Sequence, residues 1–174
     1  MTAIAAIEHA GKAWFAGDSH VELEGIRVLQ RAPKVFRRGP VVIGIAGLTV
    51  WEALWRRVSF VRQPGRDVEA WVFGEFAETA QREIKALEIE GDDRGECAAL
   101  IGIAGRVYYV EHDGNPWRPA HGYWAIGSGA ELAIGSLHTT ARRKLLPRYR
   151  LNLALQAAAA HCTTVAPPFR FVST

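Results

Sequence analysis

Short apolar runs bounded by glycine open the chain. Ala3-Ile4-Ala5-Ala6-Ile7 predicts one strand and Lys12-Ala13-Trp14-Phe15-Ala16-Gly17, after Gly11, a second. The stretch from His20 to Arg31 reads as a loop. Lys34-Val35-Phe36-Arg37 and Val41-Val42-Ile43-Gly44-Ile45-Ala46 predict two more strands, the latter entered at Pro40, where a strand tolerates proline. Gly47 ends that strand. Trp51, Leu54, Trp55, Val58 and Val61 then recur at helical spacing, with Glu52, Arg56 and Arg57 opposite. This predicts a helix with a tryptophan-rich core face, stopped at Gln63-Pro64-Gly65. A second helix is expected from about Glu75 to near Gly91, with Phe76, Ala80, Ile84 and Leu87 on one face.

The second half repeats the scheme. Ala98–Ile103 and Arg106–Val110 read as strands joined at Ala104-Gly105. A loop over His112–Pro116 and a strand over Gly122–Ile126 follow. Gly127-Ser128-Gly129 closes that strand and opens a helix from Ala130 to about Leu137. A last, alanine-rich helix is expected from Leu151 to about Cys162, introduced by Pro147. Pro167-Pro168 separates it from a closing strand over Phe169–Val172. Strands grouped in blocks with helices grouped between them predict an α+β fold of stacked layers rather than alternating β-α-β units.

Composition narrows the class without naming a function. The 174 residues fit one domain, 49% hydrophobic and 22% charged, as in ordinary globular chains. No apolar run is long enough to span a bilayer, and the N-terminal segment lacks the pattern of a secretory signal, so a cytoplasmic protein with no membrane partner is expected. Cys97 and Cys162 fit reduced core thiols, and without C-x-x-C or H-x-x-x-H spacing neither metal nor cofactor is expected. The net charge of +3 comes with short arginine pairs such as Arg37-Arg38 and Arg56-Arg57. Scattered pairs of this kind fit solvated helix faces or subunit contacts better than a nucleic-acid surface.

Three polar residues stand out by position. Thr2 becomes the first residue once Met1 is removed, Asp18 ends the second strand, and Lys34 begins the third. If the early strands pair as neighbours, these ends converge on one edge of a sheet. A hydroxyl, a carboxylate and an amine then meet. Thr2-Ala3-Ile4, Gly17-Asp18-Ser19, Lys34-Val35 and Ile45-Ala46-Gly47 resemble, in order, the successive motifs of the proteasome β-subunit and HslV family of N-terminal-nucleophile hydrolases. Thr2 to Asp18 and Asp18 to Lys34 are each 16 residues apart, as in that family's pattern. Arg106–Val110 with Asp113-Gly114 is similar to its central hairpin, and Gly127-Ser128-Gly129 to the start of its third helix.

The resemblance implies a single domain over residues 1–174, folded as a four-layer α-β-β-α sandwich of two antiparallel sheets between helix pairs. It implies a threonine peptidase acting on peptides or unfolded proteins, assembled as stacked homo-oligomeric rings with a ring ATPase as partner. Its site residues would be Thr2, Asp18, Lys34, Gly47 and Ser128. The chemistry is coherent by itself. An N-terminal threonine carries its own base, an α-amine with an ordinary pKa of about 7.7–8.0. A neighbouring lysine lowers that value, a carboxylate holds the lysine, and the Gly47 N–H can donate to an oxyanion. Resemblance further implies a specificity pocket walled by Val21, Ala32, Phe36, Ile45 and Thr49, mostly apolar, for cleavage after hydrophobic residues. Trp51, Trp55, Phe60 and Trp71 are expected to serve the core and subunit contacts.

The chain departs from the family's pattern near the last helix. Cys162 matches, but three positions later, where a hydroxyl residue is usual, stands Val165; Thr163 and Thr164 would serve only in a shifted register. The alternative reading is a catalytically inactive ring or assembly protein of the same fold.

Overall fold

The computed structural model describes residues 2–60, 64–87 and 97–174. Strands β1 (Ile4–His9) and β2 (Lys12–Gly17) form a hairpin. β10 (Tyr123–Ile126) and β11 (Arg170–Ser173) extend it into an antiparallel sheet of order β10-β1-β2-β11. A second antiparallel sheet runs β5-β6-β7-β8-β9, from β5 (Val35–Arg38), β6 (Val41–Ala46), β7 (Ala98–Ile103), β8 (Arg106–Val110) and β9 (Pro116–Trp117). Helix α1 (Thr49–Arg57) packs on the second sheet beside a longer helical run. That run comprises α2 (Val68–Trp71), a π-helical turn (Val72–Phe76) and α3 (Ala77–Lys85). Helices α4 (Ala130–Thr140) and α5 (Pro147–His161) cover the first sheet. The result is the expected α+β sandwich of four layers.

Period-two alternation explains the layering, because every central strand buries both faces. Ile4 and Ala6 of β1, Phe15 of β2, Val42 of β6 and Leu100 of β7 fill the core between the sheets. The intervening Ala5, Ile7 and Ala16 face α4 and α5. Ile43, Ile45, Ala99 and Ile101 face α1 and α3. Each fully buried large side chain contributes about 1.5–3 kcal/mol, so the three interlocking cores stabilise one another. Trp51, Trp55 and Trp71 lie inside the outer core with Phe60 packed against it, and the first three are too buried to present a subunit surface.

Several expected boundaries shift for local reasons. The segment read as a loop from His20 to Arg31 contains a two-stranded hairpin, β3 (His20–Leu23) and β4 (Ile26–Leu29). Its Glu24-Gly25 turn has both φ angles positive, as a type I′ connection requires, and the same form recurs at Ala10-Gly11 and Ala104-Gly105. Helix α1 ends at Arg57 rather than at Gln63-Pro64-Gly65. The Arg38 guanidinium caps its free carbonyls, donating to Val58 O at 2.6 Å and Arg56 O at 2.6 Å. Val61 and Gln63 fall outside the described residues. The second helical run begins at Val68, not Glu75, because the Asp67 carboxylate accepts from Ala70 N. It ends at Lys85; Gly91 lies outside the described residues. Helix α5 begins at Pro147, which sits in its first turn where no N–H is needed. Helix α4 continues past Leu137 to Thr140, and the closing strand is shifted by one residue to Arg170–Ser173.

Candidate active site

The five residues singled out for catalysis come from strand ends, but not from one sheet. Pairing of Ile4 with both Gly17 and Ile126 sets Thr2, Asp18 and the Gly127-Ser128-Gly129 turn at one end of the first sheet. Lys34 and Gly47 flank β5 and β6 in the second sheet, where Ile45 N donates to Lys34 O at 3.1 Å. Stacking of the two sheets brings both sets together.

Thr2, Asp18 and Lys34 are 6%, 0% and 3% exposed, so their mutual contacts are shielded from water. Lys34 Nζ donates to Thr2 Oγ1 at 2.8 Å and to both Asp18 carboxylate oxygens at 3.1 Å. It also donates to His20 O. These acceptors suit the three N–H donors of an ammonium. Burial lowers the Lys34 pKa from its ordinary 10.5, and the charge and hydrogen bonds of Asp18 oppose that fall. The Asp18 carboxylate is held in turn by Ala3 N and His20 N, each at 3.0 Å.

Ser128 stands on the other side of Thr2. Thr2 N donates to Ser128 Oγ at 3.2 Å, while Gly129 N donates to Thr2 O at 3.2 Å and fixes the strand end. Thr2 N is the atom that would become an α-amine if Met1 were removed. Beyond Ser128 lies a small polar chain. Thr164 Oγ1 is 3.2 Å from Ser128 Oγ and 3.2 Å from Cys162 Sγ. Burial pushes the Cys162 thiol up, but hydrogen bonds involving Thr164, Ser128 and the backbone of Thr164 and Val165 outweigh it and hold the thiol below its ordinary value. Thr164 thus places a hydroxyl beside Ser128 and Cys162, which Val165 could not. Val165 instead fills the core under α4 and α5. The turn after α5 makes that register shift, and sequence spacing alone could not choose it.

Gly47 follows β6 with φ of 126°, and a Cβ there would meet Cys97 Cα at 2.8 Å. Only glycine fits this bend. Thr2, Ala46, Gly47 and Leu48 form a saddle between two cavities. The smaller, about 40 Å³, has Val21, Ile45 and Thr49 in its wall. Ala32 and Phe36 lie outside it. Alternation along β5 turns Phe36 to the helical layer, where the Arg56 guanidinium stacks 4.5 Å from its ring centroid. The cavity wall includes Gln30 and Glu52 instead, which sequence reading missed, so its lining is mixed rather than mostly apolar. Gln30 Nε2 donates to the Glu52 carboxylate at 2.9 Å, and Arg56 pairs with it at 2.7 Å. The larger cavity, about 740 Å³, opens on the Ser128 side and had no counterpart in the sequence reading. Among the described residues there is no cluster of His, Cys, Asp or Glu able to hold a metal, and no helix is long and apolar enough to cross a membrane.

Two antiparallel sheets between two helical layers, with strand ends meeting as described, give the chain the fold of solved BPH, HslV and Anbu structures. Particular solved structures carry that statement. BPH of Thiobacillus denitrificans is 19% identical with a TM-score of 0.82, over 99% of this chain and 97% of that one. Eukaryotic HslV from Trypanosoma brucei is 21% identical with a TM-score of 0.74, over 99% and 98%. Anbu, an ancestral beta-subunit from Yersinia bercovieri, is 16% identical with a TM-score of 0.73, over 99% and 81%. No family model and no curated protein matches the chain.

Proposed function

We propose that the chain is a threonine-type endopeptidase, a single N-terminal-nucleophile domain over residues 1–174 that acts through Thr2 after removal of Met1. The observation that carries this reading is the 2.8 Å contact of the buried Lys34 ammonium with Thr2 Oγ1, backed by Asp18. In the proposed mechanism the α-amine of Thr2 takes the proton of Oγ1, and Oγ1 attacks the scissile carbonyl carbon. Lys34 stabilises the charge that develops on Oγ1, and the Gly47 N–H donates to the oxyanion, a contact typically worth about 3–4 kcal/mol of barrier. The tetrahedral adduct collapses as the ammonium returns its proton to the leaving nitrogen. This leaves an ester on Thr2, which a water molecule, deprotonated by the same amine, hydrolyses. Val21, Ile45 and Thr49 would receive the side chain on the acyl side, and the small volume there favours a short one.

The same reading makes the substrate a peptide or unfolded protein, the working form a cytoplasmic ring of copies, and the partner a ring ATPase that unfolds substrates. Neither nucleic acid nor a membrane has a part in it. Exposed Leu23, Ile26 and Leu29 on the β3-β4 hairpin support self-association, since isolated chains rarely display such a row to water.

BPH of Thiobacillus denitrificans forms a complex with epoxomicin, which makes that compound a suitable probe. Intact-mass spectrometry of the purified protein should show loss of Met1 and, after incubation with epoxomicin, a stoichiometric adduct mapped to Thr2. Thr2→Ala should take up none and hydrolyse no unstructured peptide. Retention of Met1, with no adduct and no hydrolysis, would leave the inactive ring protein as the correct reading.

A further inference from the structure

The large cavity beyond the saddle has a chemistry of its own. Trp117 sits between Tyr109 and Trp124, with ring centroids 4.9 and 5.0 Å away. These three rings wall the cavity with Ile134, and two carboxylates, Glu111 and Glu131, lie at its edges. Glu111 accepts from Trp117 Nε1 at 3.2 Å, which fixes both side chains. Among the described residues, no lysine or arginine lines this wall. Burial raises the Tyr109 phenol above its ordinary value, and the negative charges of Glu111 and Asp113 add to the rise.

The proton path decides which half of a substrate enters here. Resting on the Thr2 reading, the α-nitrogen of Thr2 must hand a proton to the leaving nitrogen, and it faces Ser128 at 3.2 Å. Ser128 lines the large cavity, whereas Lys34, which contacts the nucleophilic oxygen, lines the small one. The acyl half therefore lies over the small cavity and the leaving half over the large one. We infer that the aromatic, anionic cavity is a leaving-side subsite that accepts a basic side chain, lysine or arginine, on the residue immediately after the scissile bond. The aliphatic stem of such a side chain would lie on the indole faces, with its cation attracted both by their π faces and by the carboxylates. The new α-ammonium of the released fragment carries a further positive charge into the same field.

The test uses the Met1-processed protein and three product-like probes with free amino termini: Lys-Ala-Ala-amide, Ala-Ala-Ala-amide and Glu-Ala-Ala-amide. Binding is measured by calorimetry and tryptophan fluorescence at low salt. The lysine probe should bind about tenfold more tightly than the glutamate probe, a ratio typical of a close charge pair. Glu111→Gln/Glu131→Gln, shown folded by circular dichroism, should reduce that ratio to less than about twofold. In parallel, quenched peptides differing only at the residue after the cleaved bond should follow the same order. Equal binding of the three probes, no binding of any, or a ratio unaffected by the double variant would overturn the subsite. Selective binding without any hydrolysis would leave the cavity a binding site for basic side chains but overturn the peptidase reading and, with it, the leaving-side assignment; hydrolysis without selectivity would overturn the subsite alone.

Discussion

Lys34 is enclosed by acceptors, and its charge is tolerable only because Asp18 shares its enclosure. Removing one partner of a buried pair leaves the other charge uncompensated, which typically costs about 3–5 kcal/mol. Asp18→Asn should therefore lower stability by about that amount in urea unfolding, far more than removal of the exposed Arg82–Glu83 pair. The Lys34 pKa lies below 10.5 because burial penalises the ammonium more than Asp18 rewards it. Between that lowered value and 10.5 the unfolded chain binds more protons than the folded one, so this group makes stability rise with pH across that window. Below the window its cost is constant. Unfolding curves taken at increasing alkaline pH should show the rise in wild type, and the doubly substituted Asp18→Asn/Lys34→Met should lack it.

At the scale of elements, turns and caps do most of the positioning. Two-residue connections with positive φ set the register of β1-β2, β3-β4 and β7-β8, and the first of these puts Asp18 beside Ala3. The bend at Gly47 separates β6 from α1 at the wall shared by the two cavities. Gly47→Ala forces a Cβ against the Cys97 backbone at a φ that L residues rarely adopt. Its expected cost is about 1–3 kcal/mol of stability. If the Gly47 N–H serves as the oxyanion donor, hydrolysis should fall by more than about a hundredfold. A variant with unchanged unfolding midpoint and unchanged turnover would contradict both statements. The strands and the turns at Gly11 and Gly105 were readable because alternation and X-Gly pairs are local signals. The hairpin at Glu24-Gly25 was not, since its strands are exposed and mix charged with apolar residues, and the ends of α1 and α2 depend on capping by Arg38 and Asp67.

For the molecule as a whole, an exposed apolar row stands out on the β3-β4 hairpin. Leu23 and Ile26 are each 66% exposed and Leu29 is 59% exposed, although all three are apolar. If copies assemble through this edge, replacing the three residues by serine should shift native mass spectra from ring to monomer. The melting temperature of the monomer should barely change, because exposed side chains away from the core contribute little to its stability. A ring that survives the triple substitution would place the assembly contact elsewhere. The residues of β3 and β4 are exposed or half-buried, so the core should be insensitive to these three substitutions, although the hairpin is tied to the rest of the chain through His20, Arg27 and Gln30.

Sequence by itself determined most of the strands and helices and the layered α+β class, because alternation and helical spacing are carried by neighbours in the chain, and motif order offered the candidates Thr2, Asp18, Lys34, Gly47 and Ser128. Only the tertiary structure decided how those candidates meet. They lie at one end of two stacked sheets rather than on a single edge, since strand pairing sets Thr2 beside Asp18 and sheet packing adds Lys34. Packing also exchanged Val165 for Thr164 as the neighbouring hydroxyl, moved Phe36 out of the small cavity in favour of Gln30 and Glu52, and assembled an aromatic chamber from β8, β9 and β10. Those choices join residues tens of positions apart, and contacts across such distances leave no periodic trace in a single chain.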